Sequence, residues 1–166
     1  ADDSRELRAG DVFLACQGAS SHGLDYLRQA VAANVAAVVF DADTDTGSRV
    51  DTSVPMIPVP GLAGHLGEIA NRWFDTPSKQ IRVTGVTGTN GKTTVAYLVQ
   101  QCLDLLNEKC GYVGTLGSGM ADGVVDGAMT TPPCIALHRA FADFRDHGVM
   151  HAAVEVSSHA LEQHRV

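Results

Sequence analysis

The run Gly85-Val86-Thr87-Gly88-Thr89-Asn90-Gly91-Lys92-Thr93-Thr94 places three glycines, a lysine and a pair of threonines directly after the apolar stretch that begins at Ile81. Glycines let a backbone turn its N–H groups inward and approach a polyphosphate closely, and a helix that starts where the run ends adds its positive N-terminal end. The chemistry that fits is nucleotide binding. Lys92 would meet the β/γ-phosphates, and the Thr93 hydroxyl is a hard oxygen donor suited to Mg²⁺. The strict phosphate-loop pattern G-x-x-x-x-G-K-[ST] would need glycine at 86, where this chain has Val86; its glycines fall at 85, 88 and 91. A merely structural Gly-rich turn would leave Gly-Lys-Thr-Thr at a helix start unexplained.

Glu155 is the most informative charge outside that loop, because it interrupts the apolar run Ala152-Ala153-Val154-Glu155-Val156 near its carboxyl end. In open α/β sheets ligands sit at that end of the strands. A carboxylate there could face a Mg²⁺ held between Thr93 and the phosphates; the alternative is a glutamate on a solvated edge strand. Ser157, Ser158, His159, Gln163, His164 and Arg165 crowd the next residues and offer donors to an anionic or sugar ligand, although a polar surface loop has the same composition. Thr130-Thr131 carries the same ambiguity, since Thr131 followed by Pro132 also predicts a helix cap. His138, His147 and His151 read as residues on solvated faces.

These groups need strands and helices to hold them. Val95, Leu98, Val99, Cys102 and Leu106 recur at i, i+3, i+4, i+7 and i+11, which predicts a helix laid against a sheet by that stripe. A strand follows at Tyr112-Val113, then a Gly-rich loop from Gly114 to Gly127, then a helix running from Thr131-Pro132 through Leu137, Phe141 and Phe144. Upstream, Val12 to Cys16 and Ala36 to Phe40 read as buried strands with a helix around residues 26–34 between them. Met56-Ile57-Pro58-Val59-Pro60 is a strand demoted to an edge by its prolines, and a helix covers about residues 62–74. Asp75-Thr76-Pro77-Ser78-Lys79 reads as a linker. The expected fold class is α/β: a small N-terminal α/β substrate-binding domain over residues 1–79, then, over residues 80–166, part of a phosphate-loop, doubly wound central domain. Such a sheet needs several βα units to cover both faces, so a fragment of a longer protein is expected.

Composition narrows the partners. The chain has 166 residues, 45% of them hydrophobic, and a formal net charge of −7. That charge disfavours a general nucleic-acid surface, so phosphate binding should be local and carried by a few aimed groups. No apolar run approaches the roughly 18 to 20 residues that span a membrane, and the N-terminus lacks a basic region followed by an apolar one, so a soluble, cytoplasmic protein is expected. Cys16, Cys102, Cys110 and Cys134 are scattered without C-x-x-C spacing, which argues against disulfides or a zinc site and suggests buried thiols for three of them.

Taken in order, the loop at residues 85–94, Gly114-Thr115-Leu116-Gly117, Thr130-Thr131-Pro132 and Glu155-Val156-Ser157-Ser158-His159-Ala160-Leu161-Glu162-Gln163-His164-Arg165-Val166 resemble the Mur ligase family. Asp3-Ser4-Arg5 and Gly10-Asp11-Val12-Phe13 are similar to its N-terminal domain, so the resemblance covers essentially the whole chain. It is strongest to the branch acting at the third amino-acid step of peptidoglycan synthesis. It implies an ATP-dependent ligase that joins diaminopimelate or lysine to UDP-N-acetylmuramoyl-L-alanyl-D-glutamate, the D-glutamate carboxylate passing through an acyl phosphate. By the same resemblance Gly88, Thr89, Asn90, Gly91, Lys92, Thr93 and Thr94 hold ATP, Lys92 and Glu155 serve catalysis, and Thr93 and Glu155 serve Mg²⁺. Ser4 would touch the uridine part, while Thr130, Thr131, Ser157, Gln163 and Arg165 would line the muramyl dipeptide. Phosphoryl transfer to a carboxylate brings two anions together, which agrees with cations and aimed donors at these positions.

The implied partners are the UDP-muramyl dipeptide and an amino acid, with no nucleic acid, membrane or obligate protein partner. Two departures stand out: Met129 occupies the position where the family has an Asn, and Gly18-Ala19-Ser20-Ser21-His22-Gly23 keeps the flanking glycines of the uracil contact but differs inside. The family's remaining central-domain residues, including a carbamylated lysine near Mg²⁺, and its amino-acid-binding C-terminal domain would lie past Val166. The resemblance therefore implies a piece that does not catalyse alone. Sister amide ligases such as folylpolyglutamate or cyanophycin synthetases, and a nucleotide-binding module without ligase chemistry, are the competing readings.

Overall fold

The computed structural model describes residues 1–18, 21–43, 53–127 and 129–166. They gather into two compact units, Ala1–Leu66 and Gly67–Val166. In the first unit three short strands, β1 (Val12–Ala15), β2 (Ala37–Asp41) and β3 (Met56–Val59), lie parallel in the order β1-β2-β3. The helix α1 (Leu27–Ala32) follows a 3-10 turn and buries Leu27 and Ala30. These join Phe13, Ala15, Leu24, Val35, Val38 and Phe40 in one core. Pro58 sits in β3 at the sheet's edge, where a missing N–H forfeits no ladder bond, as its composition predicts. Within the Gly18 to Gly23 segment, Ala19 and Ser20 lie outside the described residues. The helix α2 (Leu62–Trp73) follows, and Asp75 and Thr76, with φ of 56° and 49°, end it ahead of a 3-10 turn at Pro77–Lys79.

The second unit is built on five strands: β4 (Arg82–Val86), β5 (Cys110–Gly114), β6 (Gly117–Met120), β7 (Gly123–Val125) and β8 (His151–Glu155), in the order β4-β8-β5-β6-β7. The first three in that order are parallel, and β6 and β7 form an antiparallel hairpin beside β5. Helices α3 (Lys92–Leu105) and α4 (Cys134–Asp146) cover opposite faces of the parallel part, and α5 (Ser158–Glu162) follows β8. Successive strand residues point to opposite faces. Val113, Ala152 and Val154 accordingly pack with Leu137, Phe141 and Phe144 of α4, whereas Cys110, Tyr112 and Ala153 pack with Ala96 of α3. Glu155, two residues beyond Ala153, therefore shares the α3 face. Among the described residues no helix is long and apolar enough to cross a membrane.

Three sequence expectations are corrected here. The predicted stripe on α3 is not the face that meets the sheet: Val95, Leu98, Cys102 and Leu106 are exposed, and Ala96 and Gln100 are the buried positions, with Val99 and Leu103 packed alongside. A small alanine lets the helix approach the strands closely, and a buried Gln100 hides that face from any count of apolar residues. Gly114 to Gly127 is not a loop throughout but carries the β6–β7 hairpin. Its glycines answer to close strand approach, since a Cβ at Gly117 would overlap the Val125 carbonyl and one at Gly119 the Gly123 carbonyl. The helix after Thr131-Pro132 starts only at Cys134, capped by Pro133 with φ −55° and ψ 154°. A residue before proline is held out of the helical region, so Pro132 cannot be the first helical residue.

Candidate functional site

β4 delivers the chain into the loop, and Gly88 and Gly91 make its bends with φ of 144° and 79°. Side chains disfavour that region, which is why glycine occupies both positions. Gly91 caps α3, and its carbonyl accepts from the Val95 N–H at 2.9 Å. The first N–H groups of a helix have no acceptor inside it, so the backbone from Lys92 to Thr94 offers donors at the loop's mouth. The Lys92 Nζ donates to the Gly88 carbonyl at 2.7 Å, which lays the ammonium across the loop. Thr89, Asn90 and Thr94 are exposed.

Glu155 ends β8 in register with Val86, the last residue of β4. It is only 1% exposed. The solvated-edge alternative is thereby overturned, because β8 lies between β4 and β5. The Glu155 Oε2 accepts from the Thr93 hydroxyl at 2.9 Å and the Thr115 hydroxyl at 3.2 Å. The Oε1 accepts from the Thr115 N–H at 2.9 Å and from the Tyr112 hydroxyl. A buried carboxylate is tolerated only when its lone pairs are met, and these four donors meet them. Burial, then the hydrogen bond to Glu155, hold the Tyr112 phenol well above its ordinary pKa. A hydroxyl and a carboxylate at the mouth of a phosphate loop form a hard-oxygen pair that fits Mg²⁺, and the loop's N–H groups and ammonium fit phosphate.

The predicted substrate residues in the second unit join the same cluster. The Thr130 hydroxyl lies 3.0 Å from that of Thr115. Thr131 does not cap a helix; its buried hydroxyl donates to the Glu155 carbonyl at 2.7 Å and accepts from the Ser157 N–H at 3.0 Å. Ser157 caps α5 by accepting from the Ala160 N–H at 3.1 Å. Arg165 donates to the Thr131 carbonyl at 3.0 Å, to the Met129 sulfur at 3.4 Å and to the Gln163 side-chain oxygen. Ser4 belongs to the first unit, where its hydroxyl donates to the Gln29 side-chain oxygen at 2.9 Å. His147 is exposed, but His151 is half-buried against Glu108 at 2.8 Å and so departs from the expected solvated face. Tyr112 and Thr115 are the site residues that sequence reasoning left without a role. The available signal was a tyrosine within a buried strand, whose hydroxyl must find a partner.

The chain is similar to known proteins over both units. The family model described as "Mur ligase family, catalytic domain" matches residues 2–74, and that described as "Mur ligase middle domain" matches residues 86–166. A relative from Pseudomonas putida, named UDP-N-acetylmuramoyl-L-alanyl-D-glutamate--2,6-diaminopimelate ligase, is 47% identical over 166 residues, covering 99% of this chain and 33% of its own length. One of the same name from Coxiella burnetii is 43% identical over 164 residues, again 99% of this chain and 33% of the relative. The solved structure of a ligase of that name superposes with a TM-score of 0.79 at 28% identity, over 99% of this chain and 33% of its own. MurF ligase from Thermotoga maritima, solved in complex with ADP, shares the fold with a TM-score of 0.61 at 22% identity, over 95% of this chain and 31% of its own. The chain thus spans about a third of the length of the relatives it matches. With both models drawn from one family and met in chain order, this chain belongs to the Mur ligase family.

Proposed function

We propose that this chain is the substrate- and nucleotide-binding part of an ATP-dependent ligase that adds diaminopimelate to UDP-N-acetylmuramoyl-L-alanyl-D-glutamate in peptidoglycan synthesis. The relatives' names carry diaminopimelate, and the reading takes that amino acid over. The observation that carries it is the hydrogen bond between Thr93 and Glu155, which joins the phosphate loop to the end of β8 across 62 positions of sequence. ATP, when bound, supplies the phosphoryl group that turns the D-glutamate carboxylate into an acyl phosphate. The chain's own residues prepare that encounter. Gly88 to Thr94 bind the phosphates, and the Lys92 ammonium screens their charge so that a second anion can approach. Thr93 and Glu155 would hold Mg²⁺. Thr130, Thr131, Ser157, Gln163 and Arg165 would orient the muramyl dipeptide, and Ser4, in the domain of residues 1–79, would meet its uridine end.

A nucleotide-binding module without ligase chemistry would share the loop. It would have no need for the chain of hydrogen bonds that runs from Thr93 through Glu155 and Thr131 to Arg165. Calorimetric titration of the 166-residue chain with Mg²⁺-ATP and, separately, with UDP-muramyl dipeptide tests the proposal. Saturable binding of both is expected, with UDP-N-acetylglucosamine binding more weakly than the dipeptide. ATP binding alone, with no response to the muramyl compound, would return the chain to the module reading.

A further inference from the structure

The geometry points to Tyr112 as a positioning residue that holds Glu155 in the orientation the phosphate loop needs. It rests on the reading of Thr93 and Glu155 as the Mg²⁺ pair and extends it to a residue of β5, outside the loop.

The two oxygens of the Glu155 carboxylate are held differently. Oε2 is met by the hydroxyls of Thr93 and Thr115, rotors that can turn away, whose oxygens can themselves face a cation. Oε1 is met by the backbone N–H of Thr115, which cannot rotate, and by the phenol of Tyr112, which is wholly buried. The Tyr112 ring is itself fixed, standing edge-on to Tyr97 of α3 at 5.7 Å between ring centroids. One oxygen is thus anchored while the other stays exchangeable toward the loop. The backbone makes room for the arrangement: a Cβ at Gly114 would overlap both Glu155 Oε1 and the Tyr112 hydroxyl. The donors on this buried carboxylate are all uncharged, so its orientation depends on hydrogen-bond direction and not on an ion pair. Groups that orient a metal ligand from behind typically change metal affinity 10- to 100-fold when removed.

The test compares the wild-type chain with Tyr112→Phe and Glu155→Gln, using a fluorescent ADP as probe over a series of Mn²⁺ concentrations and also without metal. For Tyr112→Phe the half-saturating Mn²⁺ concentration should rise about 10-fold or more, while metal-free ADP affinity stays unchanged. A purely structural role would instead lower the melting temperature and weaken both affinities alike, and that result overturns the proposal. So does an unchanged Mn²⁺ response in Tyr112→Phe when Glu155→Gln abolishes it. An unchanged response in Glu155→Gln is the separate result that removes the metal reading itself. Should Tyr112→Phe fold poorly, the wild-type chain still reports: its tyrosine ultraviolet band should shift when Mn²⁺-ADP is added, and the shift should vanish in Glu155→Gln. No such shift in the wild type overturns the role of Tyr112.

Discussion

The Lys92 ammonium rests on a neutral acceptor, the Gly88 carbonyl, in the structure. A nucleotide phosphate would replace that acceptor with an anion, and hydrogen bonds to charged groups contribute about 1.5–3 kcal/mol. Lys92→Ala should therefore weaken ATP binding to the chain about 10- to 150-fold and leave UDP-muramyl-dipeptide affinity where it was. Calorimetry of the variant checks both, and an unchanged ATP affinity would detach Lys92 from the phosphates. Lys92, Thr93 and Glu155 are legible in the sequence because each breaks a local pattern: a cation after glycine at a helix start, or a carboxylate closing an apolar strand. Tyr112 and Thr115 are not, because their partner lies 43 and 40 positions away and only the pairing of β5 with β8 brings it within reach. Thr131 is legible as a polar residue of consequence but not in its role, since a threonine before proline predicts a cap and the hydroxyl instead holds the carbonyl of Glu155.

At the scale of elements, strands with apolar runs and the phosphate-loop helix are readable because their signals are local. The face a helix turns inward is not always so. On α3 the positions of Ala96, Val99, Gln100 and Leu103 form a stripe with the same spacing as the more apolar one, and fit against β5 and β8 decides between them. The strands show the same dependence on fit. Gly111 in β5 lies under α4, where a Cβ would overlap the ring of Phe144. Gly111→Ala should lower stability by about 1–3 kcal/mol, the usual cost of overpacking a core. Adding Phe144→Leu to Gly111→Ala should recover part of the loss by vacating the ring's space. Thermal melts of the single and double variants decide it: a double variant less stable than either single one would show that the two positions do not share that space. The β6–β7 hairpin follows the same logic in reverse, its glycines looking like loop residues in sequence and serving strand contact in space.

Among the described residues the cores of the two units share no residue: one runs from Phe13 to Phe40 in the first unit, while the second unit holds one from Ile81 to Val154 on the α4 face and another around Ala96, Cys110, Tyr112 and Ala153 on the α3 face. A core of the first kind supports a unit of modest size, and such units have little stability to lose. Phe13 is 1% exposed. Phe13→Ala should cost about 3–5 kcal/mol, the range for deleting a buried aromatic, enough to unfold the first unit at ordinary temperature. If the second unit keeps its own fold, the variant should lose UDP-muramyl-dipeptide binding while its ATP affinity stays within about twofold of the wild type, as expected for sites that do not share partners. Phe141→Ala, in the second core, should instead take ATP binding with it. Calorimetric melts read the same division as two transitions in the wild type, with only the one belonging to the substituted core shifting in each variant. Loss of ATP binding in Phe13→Ala, together with a single transition in every chain, would show that the two cores stand or fall together and that the assignment of uridine recognition to residues 1–79 has no independent unit to rest on.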